Sequence, residues 1–191
     1  MSTQAKTLLT PEQYLEIERR AEYKSEYFQG EMFAMSGATR PHNLAAFNIA
    51  GQLYNQLRGR PCEAYPSDMR VRITATELYT YPDVVVVCDK PQFLDGELDT
   101  LLNPFAVVEV LSPSTESYDR GLKFDHYRSI ESLRQYLLVA FDRVHCDLFT
   151  RQDDGHWFLT AADGPEGSVE FAGCRLKLAD IYEKVALPPA R

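Results

Sequence analysis

Two stretches of this chain are almost wholly apolar over the length of a strand: Val84-Val85-Val86-Val87-Cys88 and Phe105-Ala106-Val107-Val108-Glu109-Val110-Leu111. Runs of this kind, rich in β-branched residues and without polar alternation, belong to strands covered on both faces. Both are therefore expected at the centre of one sheet, next to each other, with further layers on either side.

The remaining elements can be read around them. Thr10-Pro11-Glu12-Gln13 reads as a helix start with a capping box, and Leu9 as a staple on Tyr14, for a helix to about Ala21. Ser25–Phe28 and Glu31–Met35 read as a hairpin turning at Gln29-Gly30. A helix is expected over about His42–Leu57, with Leu44, Phe47, Ala50, Tyr54 and Leu57 as its apolar stripe. Met69–Ile73 alternates apolar and basic residues, as a strand with one buried face does. After a polar connection over 90–103 and the second apolar run, a helix is expected over about 118–129. Strands follow near 136–141, 144–148, 155–160 and 169–171, then a short helix over 178–183 and a frayed tail from Pro188 to Arg191. The order predicts a single mixed α/β (α+β) domain over 1–191, its core at about 8–185, with a central mixed sheet flanked by helices.

The chain has 191 residues, 45% hydrophobic and 25% charged, which suits one domain with a real core. Ser2 to Thr7 is polar, so neither a secretory signal nor a membrane anchor is expected there, and the expected compartment is the cytoplasm. The cysteines at 62, 88, 146 and 174 lack C-x-x-C spacing and stand apart from any histidine cluster. They are expected as isolated small residues, without a zinc site or a disulfide. The net charge of -8 speaks against indiscriminate coating of DNA, because duplex binding rests largely on Lys and Arg at phosphates. Any nucleic-acid contact is expected to be localised.

Glu109 is the most informative residue. A carboxylate inside a central apolar strand faces a desolvation cost of several kcal/mol unless it is paired, protonated or bound to a cation. Its alternatives are an edge position or a structural salt bridge. Asp83 opens the other apolar strand in Tyr81-Pro82-Asp83, where Pro-Asp also suits a simple entry turn. Together, two neighbouring buried strands would each present one carboxylate. Hard oxygen ligands of this kind suit Mg²⁺ or Mn²⁺, with the Val110 carbonyl as a further donor. Asp119, Lys123 and Tyr127 are spaced by four and share a helix face, which can set Lys123 beside the metal or form a surface ion pair. Glu26 on the hairpin, His42 at a helix start and Asp68 in Pro66-Ser67-Asp68 are further candidates. Asp68 is equally compatible with a turn. No P-loop, G-x-G-x-x-G, H-E-x-x-H or G-x-S-x-G motif occurs.

The segments Ser25-Glu26-Tyr27-Phe28-Gln29-Gly30-Glu31 with His42 behind, Tyr81-Pro82-Asp83-Val84, Val108-Glu109-Val110-Leu111-Ser112-Pro113-Ser114-Thr115, Tyr118-Asp119-Arg120-Gly121-Leu122-Lys123, Tyr127-Arg128 and Tyr136-Leu137-Leu138-Val139 together resemble the Uma2 family. That family was formerly a domain of unknown function, common in cyanobacteria and placed among restriction-endonuclease-like proteins of the PD-(D/E)XK type. The resemblance spans roughly residues 8 to 185. It implies a restriction-endonuclease-like core, with Asp83 and Glu109 as the acidic pair on one or two metal ions. The superfamily's lysine two residues after the acid is replaced here by Leu111, and the Uma2 pattern implies Lys123 in its stead. The expected function is Mg²⁺- or Mn²⁺-dependent hydrolysis of DNA phosphodiesters by Asp83, Glu109 and Lys123, with a homodimer as the expected assembly. The rivals are a catalytically inactive binding module on the same fold and a hydrolase of another phosphate ester.

Overall fold

The computed structural model describes residues 8–189; the Ser2–Thr7 stretch and the last two residues of the expected frayed tail lie outside it. Helix α1 (Pro11–Glu18) starts as predicted. The Thr10 hydroxyl accepts from the Gln13 amide at 3.3 Å, the Gln13 side chain accepts from the Thr10 amide at 2.9 Å, and Leu9 packs on the cluster that holds Tyr14. Strands β1 (Ser25–Phe28) and β2 (Glu31–Ala34) form the hairpin. Gln29 and Gly30 sit at φ 47° and 90°, the pair of left-handed residues that a two-residue turn between twisted strands requires. The chain continues through α2 (Arg40–Leu57), β3 (Cys62–Pro66), β4 (Arg70–Ile73), β5 (Leu78–Thr80), β6 (Val84–Cys88), β7 (Thr100–Leu101) and β8 (Ala106–Val110). It ends with α3 (Glu116–Arg120), α4 (Leu122–Tyr127), β9 (Gln135–Val139), β10 (His145–Arg151), β11 (Trp157–Asp163), β12 (Ser168–Phe171), β13 (Cys174–Lys177) and α5 (Leu178–Ile181).

The two apolar runs are neighbours at the heart of a six-stranded sheet ordered β11-β10-β9-β8-β6-β3. The β8–β9 pair is parallel and the other pairs are antiparallel, so the sheet is mixed. Both faces are covered, which is why neither run alternates. Val84, Val86, Ala106 and Val108 pack with Ala45, Ile49 and Leu53 of α2 on one side. Val85, Val87 and Val107 pack with Val71 and Ile73 of β4 and Tyr127 of α4 on the other. A five-stranded sheet, β2-β1-β5-β4-β7, supplies part of that second layer.

Four expectations need correction. The buried face of α2 is Ala45, Ile49, Leu53 and Leu57; of the expected stripe, Phe47 and Tyr54 are 75% and 69% exposed. Two apolar stripes at helical spacing coexist on this helix, and periodicity alone does not say which one meets the sheet. Cys62 and Cys88, opposite one another in the β3–β6 register, form a disulfide; only Cys146 and Cys174 are free. Strand pairing across 26 residues makes that bond, and no short-range motif announces it. The helix expected over 118–129 divides at Gly121, whose φ of -115° and ψ of -100° separate α3 from α4. The strand Met69–Ile73, expected with one buried face, buries Arg70 as well, at 2% exposure, because Thr100 and Asp99 receive its guanidinium at 2.9 Å and the Tyr81 hydroxyl at 2.8 Å.

The long helix α2 also finishes the edge of β13. Gln56 accepts from the Arg175 amide and donates to the Arg175 carbonyl, both at 2.9 Å. One turn earlier Gln52 accepts from the Lys177 amide at 3.0 Å, and one turn earlier again Asn48 donates to the carbonyls of Ile181 and Glu183 at 3.0 Å. Among the described residues no helix is long and apolar enough to cross a membrane.

Candidate active site

Side chains alternate along a strand, so Glu109, between Val108 and Val110, faces away from α2 and toward α3 and α4. It is 4% exposed. Lys123, at the start of α4 and 5% exposed, brings its Nζ to 2.8 Å from Glu109 Oε1. The Tyr127 hydroxyl donates to the same oxygen at 3.1 Å. Lys123 also lies 3.5 Å from Glu26 Oε1 and 3.6 Å from Asp119 Oδ1. Glu26 is steadied by the Thr80 hydroxyl, which donates to its Oε1. Asp119 is steadied through its backbone, whose carbonyl accepts from the Tyr136 hydroxyl at 2.9 Å.

Asp83 reaches the same region from the entrance of β6. Its Oδ2 accepts from the Val110 amide at 2.8 Å and stands 3.3 Å from His42 Nε2. The carboxylate is thereby tied to the backbone of the strand that carries Glu109. It is also tied to the first turn of α2, where Pro41 suits a helix entrance and His42 follows it.

The electrostatics follow from burial and crowding. Burial pushes the Glu109 pKa well above the ordinary carboxylate range; Lys123 opposes this, and the charges of Asp119 and Asp83 reinforce it. Burial works against the Lys123 ammonium, yet Glu109, Glu26 and Asp119 around it hold its pKa well above the ordinary value. Burial also raises Asp119, against the pull of Lys123. Burial alone would lower His42, but the Asp83 carboxylate carries its pKa above the ordinary value. Tyr127 is held far above the usual phenol range by burial and by Glu109, so it remains a hydrogen-bond donor.

Of the sequence candidates, Glu109, Lys123, Glu26 and Tyr127 are joined in one buried cluster, and Asp83 and His42 form a neighbouring pair tied to the same strand through the Val110 amide. Asp68 is not: its carboxylate is 86% exposed and pairs with Lys24 at 2.6 Å in the turn after β3. Asp119 belongs to the buried cluster rather than to a surface ion pair, at 3% exposure. Its signal in the sequence was the four-residue step to Lys123, which a solvated helix face shares.

Whether these residues suit a divalent cation can be judged from the donors. Around one ammonium stand three carboxylates, with Asp83 close enough to raise the pKa of Glu109. In Asp83 the contacts converge on Oδ2, and in Glu109 on Oε1. Among the described residues no group of three or more His, Cys, Asp and Glu side chains forms a ready cage for a metal. Asp83 and Glu109 offer hard oxygen donors of the kind a Mg²⁺-like ion takes, and the described residues form no closed structural site.

Known proteins give this geometry a context. The family model of Uma2, described as "Putative restriction endonuclease", matches residues 11–179. Among curated proteins, the uncharacterized protein slr1290 of Synechocystis sp. (strain PCC 6803) is 42% identical over 151 residues, covering 79% of this chain and 78% of its own. The uncharacterized protein sll1609 of the same organism is 36% identical over 165 residues, covering 86% and 93%. A crystal structure from Anabaena variabilis ATCC 29413, titled as a putative nuclease belonging to DUF820, superposes with a TM-score of 0.71 at 16% identity. It covers 92% of this chain and 98% of that one, so the two share a fold across nearly their whole lengths. The match over 11–179 and the two Synechocystis relatives agree: this chain belongs to the Uma2 family.

Proposed function

We propose that this protein is a Mg²⁺- or Mn²⁺-dependent phosphodiesterase that cleaves DNA. The observation that carries the reading is the buried Glu109–Lys123 pair, with Asp83 bonded to the next amide of the same strand. Glu109 and Asp83 are the residues that would hold the ion. When bound, such an ion supplies a Lewis acid for the phosphoryl oxygen and a more acidic water. Lys123 turns its ammonium from Glu109 to the negative charge that grows at phosphorus and orients the attacking water. Tyr127 keeps Glu109 in its rotamer through the bond to Oε1, and His42 and the Val110 amide do the same for Asp83 Oδ2. Glu26 and Asp119 hold Lys123 charged in the resting state.

The test is cleavage of supercoiled plasmid in Mg²⁺ or Mn²⁺ by wild type, Asp83→Ala and Glu109→Ala, with circular dichroism as the check on folding. Folded variants that have lost all metal-dependent cutting support the proposal; undiminished cutting by both overturns it. A second reading, a non-catalytic binding module on the same fold, is favoured by one observation. The position two residues after Glu109 is Leu111, 1% exposed in the core, so the lysine must come from α4. Calorimetric Mn²⁺ binding without cutting of DNA, RNA or small phosphodiesters would favour this second reading.

A further inference from the structure

Asp83 faces two ways. One side meets the buried cluster; the other forms part of the wall of an open cavity of about 670 Å³ between α2 and the turn after β3. The rest of that wall is chiefly apolar, with Leu44, Phe47 and Ala50 along the helix and Pro66 opposite, and Arg40 is the cation in its lining. The volume is that of a small-molecule pocket. Phe47, which shares this wall with Asp83, is 75% exposed. Tyr54, two helical turns along the same face, is 69% exposed. Between them lies Gly51, and a Cβ placed there meets no atom within 4 Å. Glycine is a poor helix former, and no packing demand explains it at this site. The helix surface between the two exposed aromatic residues carries no side chain at this position.

Aromatic faces in a groove that also carries cations are how proteins hold unpaired bases, since every base offers a π-face for stacking. Uninterrupted duplex is gripped differently, by many cations along both backbones, and a chain of net charge -8 is poorly supplied for that. Building on the phosphodiesterase reading, we infer that this cavity receives an unpaired base of the substrate. The scissile phosphate then lies at Asp83 and the preferred substrate is single-stranded or locally unpaired DNA. The base stacks on Phe47, the neighbouring nucleotide runs over Gly51 to Tyr54, and Arg40 meets a backbone phosphate. The occupant is chosen by continuity with the carboxylate site, because Asp83 is shared by both, and by the charge of Arg40.

The test is fluorescence anisotropy of a labelled oligothymidylate and of a blunt duplex of equal length, in Ca²⁺ to hold back cleavage. It uses wild type, Phe47→Ala, Tyr54→Ala and Asp83→Ala. Wild type is expected to bind the oligothymidylate at least about tenfold more tightly than the duplex, and Phe47→Ala to lose on the order of tenfold for the single strand alone. Equal or tighter binding of duplex overturns the inference. So does single-strand binding untouched by both aromatic substitutions. If sedimentation velocity shows wild-type self-association that Phe47→Ala abolishes without altering oligonucleotide binding, the face belongs to a second copy and the inference falls. Asp83-dependent cutting of duplex alongside an inert Phe47→Ala substitution would sink this inference and leave the phosphodiesterase reading standing. Absence of any Asp83-dependent cutting and of any polynucleotide binding would sink both.

Discussion

Lys123 Nζ, in the first turn of α4, lies 2.8 Å from Glu109 Oε1, near the C-terminal end of the buried strand β8. The ammonium comes from α4, while the position two residues after Glu109 is taken by the buried Leu111. It also answers the desolvation problem that Glu109 poses in β8, since a buried carboxylate without a counter-charge costs several kcal/mol.

Replacing Lys123 by Met should therefore act twice. Cutting should fall on the order of 10²–10³-fold in a plasmid assay, as when one electrostatic donor is removed from a transition state. Stability should become pH-dependent. Glu109 already holds its proton more tightly in the folded chain than in the unfolded one, and losing the ammonium strengthens that preference. The folded state then binds more protons wherever the pH lies between the unfolded and the folded pKa, so stability falls as pH rises through that interval. Urea unfolding from about pH 5 to pH 8 should show the variant losing ground to wild type as pH rises, and a flat difference would contradict this.

Asp99 should behave in the opposite sense. Partial burial would raise its pKa, but hydrogen bonds from Arg19 and Thr100 and the charge of Arg70 hold it far below the ordinary aspartate range. The stability it contributes is present above the unfolded pKa near about 4 and is lost as pH falls toward the folded value. Asp99→Asn should cost about 2 kcal/mol at pH 7, mainly by stripping the buried Arg70 of its counter-charge. The gap between variant and wild type should close progressively below about pH 4. Chemical denaturation at several pH values measures it directly.

The Cys62–Cys88 bond closes a loop of 26 residues between the edge strand β3 and β6. Constraint of the unfolded chain by a loop of that size is worth about 3 kcal/mol. Melting with and without dithiothreitol should show a loss of that order, and Cys62→Ser should reproduce it without added reductant. A cytoplasm kept reducing by glutathione would leave β3 held by its backbone pairing with β6 and by the packing of Ala64 and Tyr65.

The parts of this molecule that could be read in its sequence are those where a single run of residues carries the information. The valine run of β6, the apolar run of β8 and the capping box at Thr10 each specify their own structure, and all were found where expected. Glu109 drew attention because a carboxylate interrupts an apolar strand, and Asp83 because it opens the neighbouring one. What escaped depends on the meeting of distant segments. Cys62 and Cys88 become neighbours only through strand register, and Arg70 is buried only because Asp99 and Tyr81 come to it. The face of α2 that meets the sheet was misjudged because Ala45 and Ile49 look no more apolar than Leu44 and Phe47. Asp68 was plausible in sequence because a turn acid and a ligand acid look alike, and Lys24 settles the matter at the surface.

The side-chain amides of Asn48, Gln52 and Gln56, set one turn apart on α2, give β13 and the segment after it the hydrogen bonds that another strand would supply. An open strand edge is a template on which a second chain can add itself, and repetition of that step leads to fibres. Here a helix imitates a strand well enough to occupy the template along β13, one edge of the small β12–β13 hairpin. The glutamines act as insulation against aggregation.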